Sequence, residues 1–119
     1  MKILILDDDH LRLNQFKRNL IGNNVTCVTT VHDTIEALKE ESWDIVFLDH
    51  DLGGQIYVPS GPGTGFEVAE WLRDNPERKP KKIVIHSFCE YGRNNMNKVL
   101  PESIIFPGAW LKENIINNL

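Results

Sequence analysis

Ile45-Val46-Phe47-Leu48-Asp49-His50-Asp51-Leu52-Gly53 is the stretch on which the reading of this chain turns. A short run of apolar, partly β-branched residues ends abruptly in a polar cluster and then a glycine. Such a run reads as a strand buried on both faces, as in a parallel sheet. Two other stretches share its form. Lys2-Ile3-Leu4-Ile5-Leu6 runs into Asp7-Asp8-Asp9, and Lys82-Ile83-Val84-Ile85 runs into His86-Ser87. In an open α/β sheet, ligands bind outside the carboxyl ends of the strands. Three strands therefore deliver carboxylates, two imidazoles and a hydroxyl to one edge. That chemistry suits a hard cation and a phosphate.

Outward from these runs, strand and helix patterns alternate five times, which predicts an α/β parallel sheet with crossover helices. Helix 1 is expected from about residue 10 to 21, with apolar Leu11, Leu13, Phe16, Leu20 and Ile21, and Asp8 or Asp9 as its cap. A second strand lies at about 25–30, followed by a short helix from Thr34 to Glu41 capped by Asp33. Thr64 or Gly65 starts a third helix and the fourth covers about 91–100. A fifth strand is expected from Ser103 to Phe106, and a fifth helix from about Ala109 to Asn118. Between strand 3 and helix 3, Gly53, Gly54, Gly61, Gly63 and Gly65 stand with Pro59 and Pro62. This stretch cannot be regular structure and reads as a flap over the site.

The 119 residues make one domain with a single core and no repeat. Hydrophobic residues are 41% and charged residues 25%, and the net charge is −4. With the cations scattered, that balance argues against strong binding to duplex nucleic acid. No apolar stretch reaches membrane-spanning length, and residue 2 enters a strand with no leader pattern. A cytoplasmic chain is the expectation. Neither Cys27, in a strand, nor Cys89, placed beside the site, is expected to form a disulfide.

Asp7-Asp8 after strand 1, Asp49 after strand 3 and His86-Ser87 after strand 4 carry a family match. The chain resembles the receiver domains of two-component response regulators over essentially its whole length. The resemblance implies a single doubly wound (βα)5 domain over residues 1–119, flavodoxin-like, with strand order 2-1-3-4-5. It implies that Asp7 and Asp8 are the acidic pair, Asp49 the phosphoacceptor and metal ligand, and Ser87 the hydroxyl residue. The lysine that ends strand 5 in receivers is missing: the chain reads Ile104-Ile105-Phe106-Pro107-Gly108. Leu48-Asp49-His50-Asp51-Leu52-Gly53 and Ile85-His86-Ser87 are more similar to the receiver-derived group named the cyclic-phosphate-processing receiver domains. An Asn-Pro often follows the His-Ser in that group. Here Phe88-Cys89-Glu90-Tyr91 intervenes, so no role for that asparagine carries over.

The residues themselves support a site. Clustered carboxylates repel and resist ionising unless a cation neutralises them. Asp7, Asp8, Asp49 and Asp51 are therefore the candidate ligands of Mg²⁺ or Mn²⁺. Asp51 equally suits a turn before Leu52-Gly53-Gly54. His50 and His86 are candidate acid and base near neutral pH, or ligands of a transition metal. Ser87 suits a hydrogen bond to a phosphoryl oxygen, and Arg93 a bidentate phosphate contact. His10 and His32 read as surface residues, and Trp43, Trp71 and Trp110 as core.

The expected function is a metal-assisted phosphoesterase acting on a cyclic phosphate or similar small phosphoester, with His50, His86, Asp49 and Ser87 catalytic. The expected ligand is a small phosphate compound such as a cyclic nucleotide or an RNA end. Two alternatives compete with it. One is a divergent receiver phosphorylated on Asp49. The other is an inert phosphate-binding module.

Overall fold

The computed structural model describes residues 1–54 and 56–119. Strands β1 (Lys2–Leu6), β2 (Asn24–Val28), β3 (Ile45–Leu48), β4 (Lys82–Ile85) and β5 (Ile104–Ile105) form one sheet. All pairs are parallel and the order is β2-β1-β3-β4-β5. Helices α1 (His10–Asn19), α2 (Val31–Glu40), α3 (Gly65–Asp74) and α4 (Glu90–Val99) make the crossovers. The apolar runs imply a parallel α/β sheet, and this order is the doubly wound arrangement that the resemblance implies.

Alternation along the strands divides the core into two layers. Ile3, Ile5, Ile45, Phe47 and Val84 pack with Leu13, Phe16 and Leu20 of the α1 segment and with Ala109, Trp110 and Ile115. Leu4, Leu6, Val46, Leu48, Ile83 and Ile85 pack with α2, α3 and α4 through Leu38, Val68, Leu72 and Met96. Each layer buries aliphatic side chains completely, so the sheet is covered on both faces.

The register decides what happens at the carboxyl ends. Leu6 pairs with Leu48, and Leu48 with Ile85. The next row across the three strands is thus Asp7, Asp49 and His86. Backbone bonds from Asp49 N to Leu6 O at 3.0 Å and from His86 N to Leu48 O at 3.1 Å continue the ladder into it. By alternation this row faces α1. His50, one residue further on, belongs to the opposite face.

Local chemistry explains where the elements differ from expectation. Asp9 caps α1, accepting the Leu11 and Arg12 N–H groups at 2.8 and 3.1 Å. The buried stripe of that segment is Leu13, Phe16 and Leu20, while Leu11 and Ile21 stand 81% and 86% exposed. Helix α2 starts earlier than expected, at Val31. Thr30 rather than Asp33 is its cap, and Asp33 sits in its first turn, where the helix dipole favours a carboxylate. The expected fifth helix does not form. Two short 3-10 turns, Ala109–Leu111 and Ile115–Asn118, stand there instead. Gly108 and Asn114 precede them with φ of +74° and +54°, left-handed positions that interrupt an α-helix.

Candidate functional site

Asp7 and His86 are both fully buried, and the His86 Nε2 lies 2.8 Å from Asp7 Oδ2. A carboxylate only accepts, so Nε2 carries the hydrogen. Arg12, on the first turn of α1, grips the same carboxylate from the other side. Its Nε donates to Oδ2 at 2.9 Å and an Nη2 hydrogen donates to Oδ1 at 2.7 Å. The Asp9 N–H adds a bond to Oδ1 at 2.9 Å. Burial by itself would raise the Asp7 pKa. The bonds from His86, Arg12 and Asp9 outweigh it and hold the carboxyl at about 2.

Asp49 lies in the same row with the opposite balance. Burial raises its pKa to about 6, because the charges of His86 and Arg12 and the His50 N–H compensate only in part and Asp7 repels it. Arg12 reaches it with a second Nη2 contact, 3.3 Å from Oδ2. The guanidinium also lies 3.7 Å from Asp8 and 3.6 Å from Asp9 and sits over the Trp110 ring at 5.4 Å. This run of carboxylates raises the Arg12 pKa.

A cavity of about 360 Å³ opens above this row. Its walls include Asp8, Asp9, Arg12, Asp49, Asp51, Ser87, Cys89 and Trp110, with Gly54, Ile56 and Tyr57 from the glycine-rich stretch and Phe88 at the rim. That stretch does lie over the site and is tied to it. Gly54 N–H donates to Asp8 at 2.6 Å and Tyr57 N–H to Asp51 at 2.7 Å. Gly65 N–H donates to the His50 carbonyl at 2.9 Å. A side chain on Gly65 would put its Cβ 1.7 Å from the Asp49 carbonyl oxygen, so this close approach requires glycine.

The structure brings Asp8, Asp49, Asp51 and Ser87 to one cavity. It does not bring the two histidines there together. His86 packs edge-on against Phe16 and Trp110, at 5.0 and 5.8 Å between centroids, on the α1 face. His50 is fully buried on the other face, so close to α4 that a Cβ on Gly92 would lie 2.3 Å from its ring. The expected acid–base pair is therefore separated by the sheet, because strand alternation puts residues one row apart on opposite faces. The His86 Nδ1 has no hydrogen-bond partner among the described residues.

His50 instead belongs to a chain. Its Nδ1 donates to Asp51 Oδ1 at 2.6 Å, and Ser60 donates to its Nε2 at 2.9 Å. Asn95 donates to the Ser60 oxygen at 3.1 Å. The order Asp–His–Ser is that of a nucleophilic triad. The neighbouring N–H groups that would stabilise an oxyanion are engaged, Gly61 with Thr64 and Gly63 with Glu67. Ser60 is also not part of the cavity wall. The chain acts as a latch joining strand β3, the glycine-rich stretch and α4.

Two further expectations change. Asp7 was expected among the metal ligands, but four donors already occupy its two oxygens, which have about four acceptor positions. Arg93 was expected to bind phosphate. Its Nη1 donates to the Phe88 carbonyl at 3.0 Å, and it does not line the cavity. Ser87 accepts the Cys89 N–H at 3.1 Å, which leaves its own hydrogen free to donate. The cation that the cavity does hold is Arg12, which the motif reading missed.

The remaining open carboxylates, Asp8 and Asp49, form an oxygen donor set of the kind that fits a hard divalent cation. Asp7, Asp49 and His86 also bring ligand atoms within 4.8 Å of one another, as do His50, Asp51 and Cys89. In the first group the oxygens of Asp7, and in the second both ring nitrogens of His50, are already taken by the hydrogen bonds just described.

Comparison with known proteins agrees with this fold. Among solved structures, a response regulator receiver domain from Methylobacillus flagellatus is 21% identical, with TM-score 0.65, 88% of this chain covered and 82% of that one. The Mn²⁺-bound response regulator Rcp1 is 13% identical, with TM-score 0.66 and coverage of 89% and 81%. A response regulator from Burkholderia pseudomallei, solved with a phosphorylated aspartic acid, calcium and citrate, is 16% identical, with TM-score 0.68 and coverage of 98% and 69%. At these identities the likeness speaks for the fold. No curated protein matches the sequence significantly. A family model described as the cyclic-phosphate processing receiver domain matches residues 2–102, and the chain belongs to that family.

Proposed function

We propose that the cavity binds a small phosphoester beside a divalent cation, Mg²⁺ or Mn²⁺, and that the reaction is hydrolysis of a cyclic phosphate. The observation that carries this reading is the meeting of Asp8, Asp49, Asp51 and Ser87 on one cavity wall in a chain of this family. Asp8 and Asp49 would hold the cation, with Asp51 contributing its side chain or its carbonyl. When bound, the cation polarises a phosphoryl oxygen and lowers the pKa of a coordinated water. Asp49 must lose its proton to serve as a ligand, so cation binding strengthens as pH rises through about 6. Ser87 donates its free hydrogen to a phosphoryl oxygen. His86 acts through Asp7 and His50 through Asp51, so both are positioning residues. The ligand class is a cyclic nucleotide or an RNA end, small enough for a cavity of about 360 Å³.

A second reading is phosphorylation of Asp49 itself, as in the phosphorylated cyanobacterial phytochrome response regulator RcpA that shares the fold. Against it, Phe106 stands where the switch lysine belongs and packs into the α1-side core layer. The test is hydrolysis of 2′,3′-cyclic mononucleotides with Mg²⁺ or Mn²⁺, read by chromatography. Turnover should require the cation, and Asp49→Asn should cost on the order of 100-fold or more. No turnover across cyclic and linear phosphoesters, together with acetyl-phosphate labelling of Asp49, would replace the first reading with the second.

A further inference from the structure

In the receiver pattern the cation that meets the phosphoryl group comes from the end of strand 5. Here that position is Phe106, a partly buried side chain that packs against the α1-side core. A phosphate entering this cavity faces Asp8, Asp9, Asp49 and Asp51. A divalent ion offsets part of that negative charge, and a second cation is needed beside it. Helix α1 supplies one. We infer that Arg12 is the phosphate-recognising cation of this site, moved from the sheet edge to the first turn of α1. The inference rests on the phosphoester reading above.

Three observations carry it. The first is orientation. The Arg12 fork is held on Asp7 by bonds of 2.9 and 2.7 Å, with the Trp110 ring 5.4 Å away. Asp7 is itself fixed by His86 and by the Asp9 N–H. The plane of the guanidinium is thus set before any ligand arrives. The second is spare capacity. A guanidinium has five donors. The Nε hydrogen and both Nη2 hydrogens are used on Asp7 and Asp49, whereas Nη1 comes no closer to a partner than 3.6 Å, at Asp9. Both Nη1 hydrogens remain for a ligand's oxygens. The third is access. Arg12 keeps 29% of its side chain exposed, on the cavity wall it shares with Asp49 and Ser87.

A counter-ion serving Asp7 alone would need neither the contact to Asp49 nor the open Nη1. The fork is taken up by Asp7, so Arg12 offers a phosphate its charge and the two Nη1 hydrogens, held in a fixed plane that a lysine ammonium lacks. The 3.3 Å contact to Asp49 and the 3.7 Å approach to Asp8 place Arg12 on the two carboxylates that would hold the divalent ion. The guanidinium and the ion therefore share Asp49. Weakening Arg12 should loosen phosphate but not Mg²⁺.

The experiment is calorimetric titration of the full chain with Mg²⁺ alone, then with inorganic phosphate and with 2′,3′-cyclic AMP in the presence of Mg²⁺. Wild type is compared with Arg12→Lys, Arg12→Gln and, as a charge control on the same helix, Lys17→Gln. Arg12→Lys keeps the charge but loses the planar array that bonds Asp7 on one side and presents Nη1 to the ligand on the other. It should weaken both phosphate probes about tenfold, and Arg12→Gln more, with Mg²⁺ binding unchanged or tighter. Lys17→Gln should match wild type. Equal phosphate binding by wild type and both Arg12 variants would overturn the role of Arg12 and leave the phosphoester reading standing. Wild type that binds neither probe would overturn both. Loss of Mg²⁺ together with phosphate in Arg12→Lys, at an unchanged melting temperature, would reduce Arg12 to an organiser of the carboxylates.

Discussion

Replacing Asp49 by asparagine should make the cation-free protein more stable, and only above a definable pH. Asp49 is 5% exposed, and its pKa is raised from an ordinary 3.8 to about 6, chiefly by burial. The folded state therefore binds the proton more tightly than the unfolded chain. Stability is unaffected by this group at low pH and falls as pH rises from about 4 to about 6, where the folded carboxyl is still protonated and the unfolded one is not. The gap between 3.8 and about 6 is worth about 3 kcal/mol once both states are ionised. Asparagine mimics the neutral acid and removes that cost. At about pH 7.5 in EDTA, Asp49→Asn should melt higher by up to roughly 10 °C, given the several degrees per kcal/mol of a domain this size. At about pH 4 the two proteins should melt together. Mg²⁺ should then raise the wild-type midpoint, because a ligand that binds only the folded state stabilises it, and should leave the variant unmoved. Thermal melts by circular dichroism at three pH values, with EDTA or Mg²⁺, check all of this. A variant less stable than wild type at about pH 7.5 without metal, or a gain independent of pH, would refute the account of Asp49 as a desolvated, under-compensated carboxylate.

The neighbouring acid should behave in the opposite way. Asp7→Asn should cost on the order of 3 kcal/mol near neutral pH, since it breaks a buried charged network. The wild-type contribution should fade as pH falls from about 4 towards about 2, as urea denaturation against pH would show. Asp8→Asn should weaken Mg²⁺ binding in calorimetry while leaving the melting temperature of the cation-free protein within about a degree or two, because Asp8 is partly exposed. Gly92→Ala should destabilise the fold, because the added methyl meets the His50 ring at 2.3 Å; equal stability would show that the ring can move aside. Beryllofluoride should not produce the strand-5 rearrangement of a receiver, and an NMR shift pattern running through Phe106 would contradict that.

The fold was legible because its strands are short apolar runs with polar residues at their ends, a pattern set by burial on both faces of a parallel sheet. Asp49, Ser87 and the acidic run could be placed at the carboxyl edge for the same reason. The register could not be read. Nothing in Leu48-Asp49-His50 or Ile85-His86-Ser87 says that Asp49, and not His50, pairs with His86, and a shift of one residue changes the face. The fifth helix failed because Gly108 and Asn114 adopt left-handed backbone within a segment too short to nucleate a helix alone. Arg12 did leave a signal. It lies in the first turn of a helix that Asp9 caps, where the dipole disfavours a cation by about 0.3–1 kcal/mol. An arginine there requires a compensating carboxylate, and Asp7 is one turn away.

The same bookkeeping of lone pairs assigns the carboxylates their tasks. Five acidic side chains crowd the carboxyl ends of β1 and β3, Asp9 among them as the cap of α1, and they are not equivalent. Asp7 accepts from Arg12 twice, from His86 and from Asp9, so it is saturated and ionised. Asp51 accepts from His50 on one oxygen and from Tyr57 N–H on the other, which fixes its orientation and leaves about two acceptor positions. Asp8 receives Gly54 N–H on one oxygen, and Asp49 receives Arg12 at 3.3 Å. Those two are the under-coordinated pair. A divalent ion bound there gains the most and displaces the least, because the protein's own donors have been spent on the flanking acids. The two histidines complete the division from opposite faces of the sheet. His86 secures Asp7 on the α1 side, and His50 secures Asp51 on the α4 side. Each imidazole thereby fixes one carboxylate in place, and Asp8 and Asp49 between them keep the most open lone pairs.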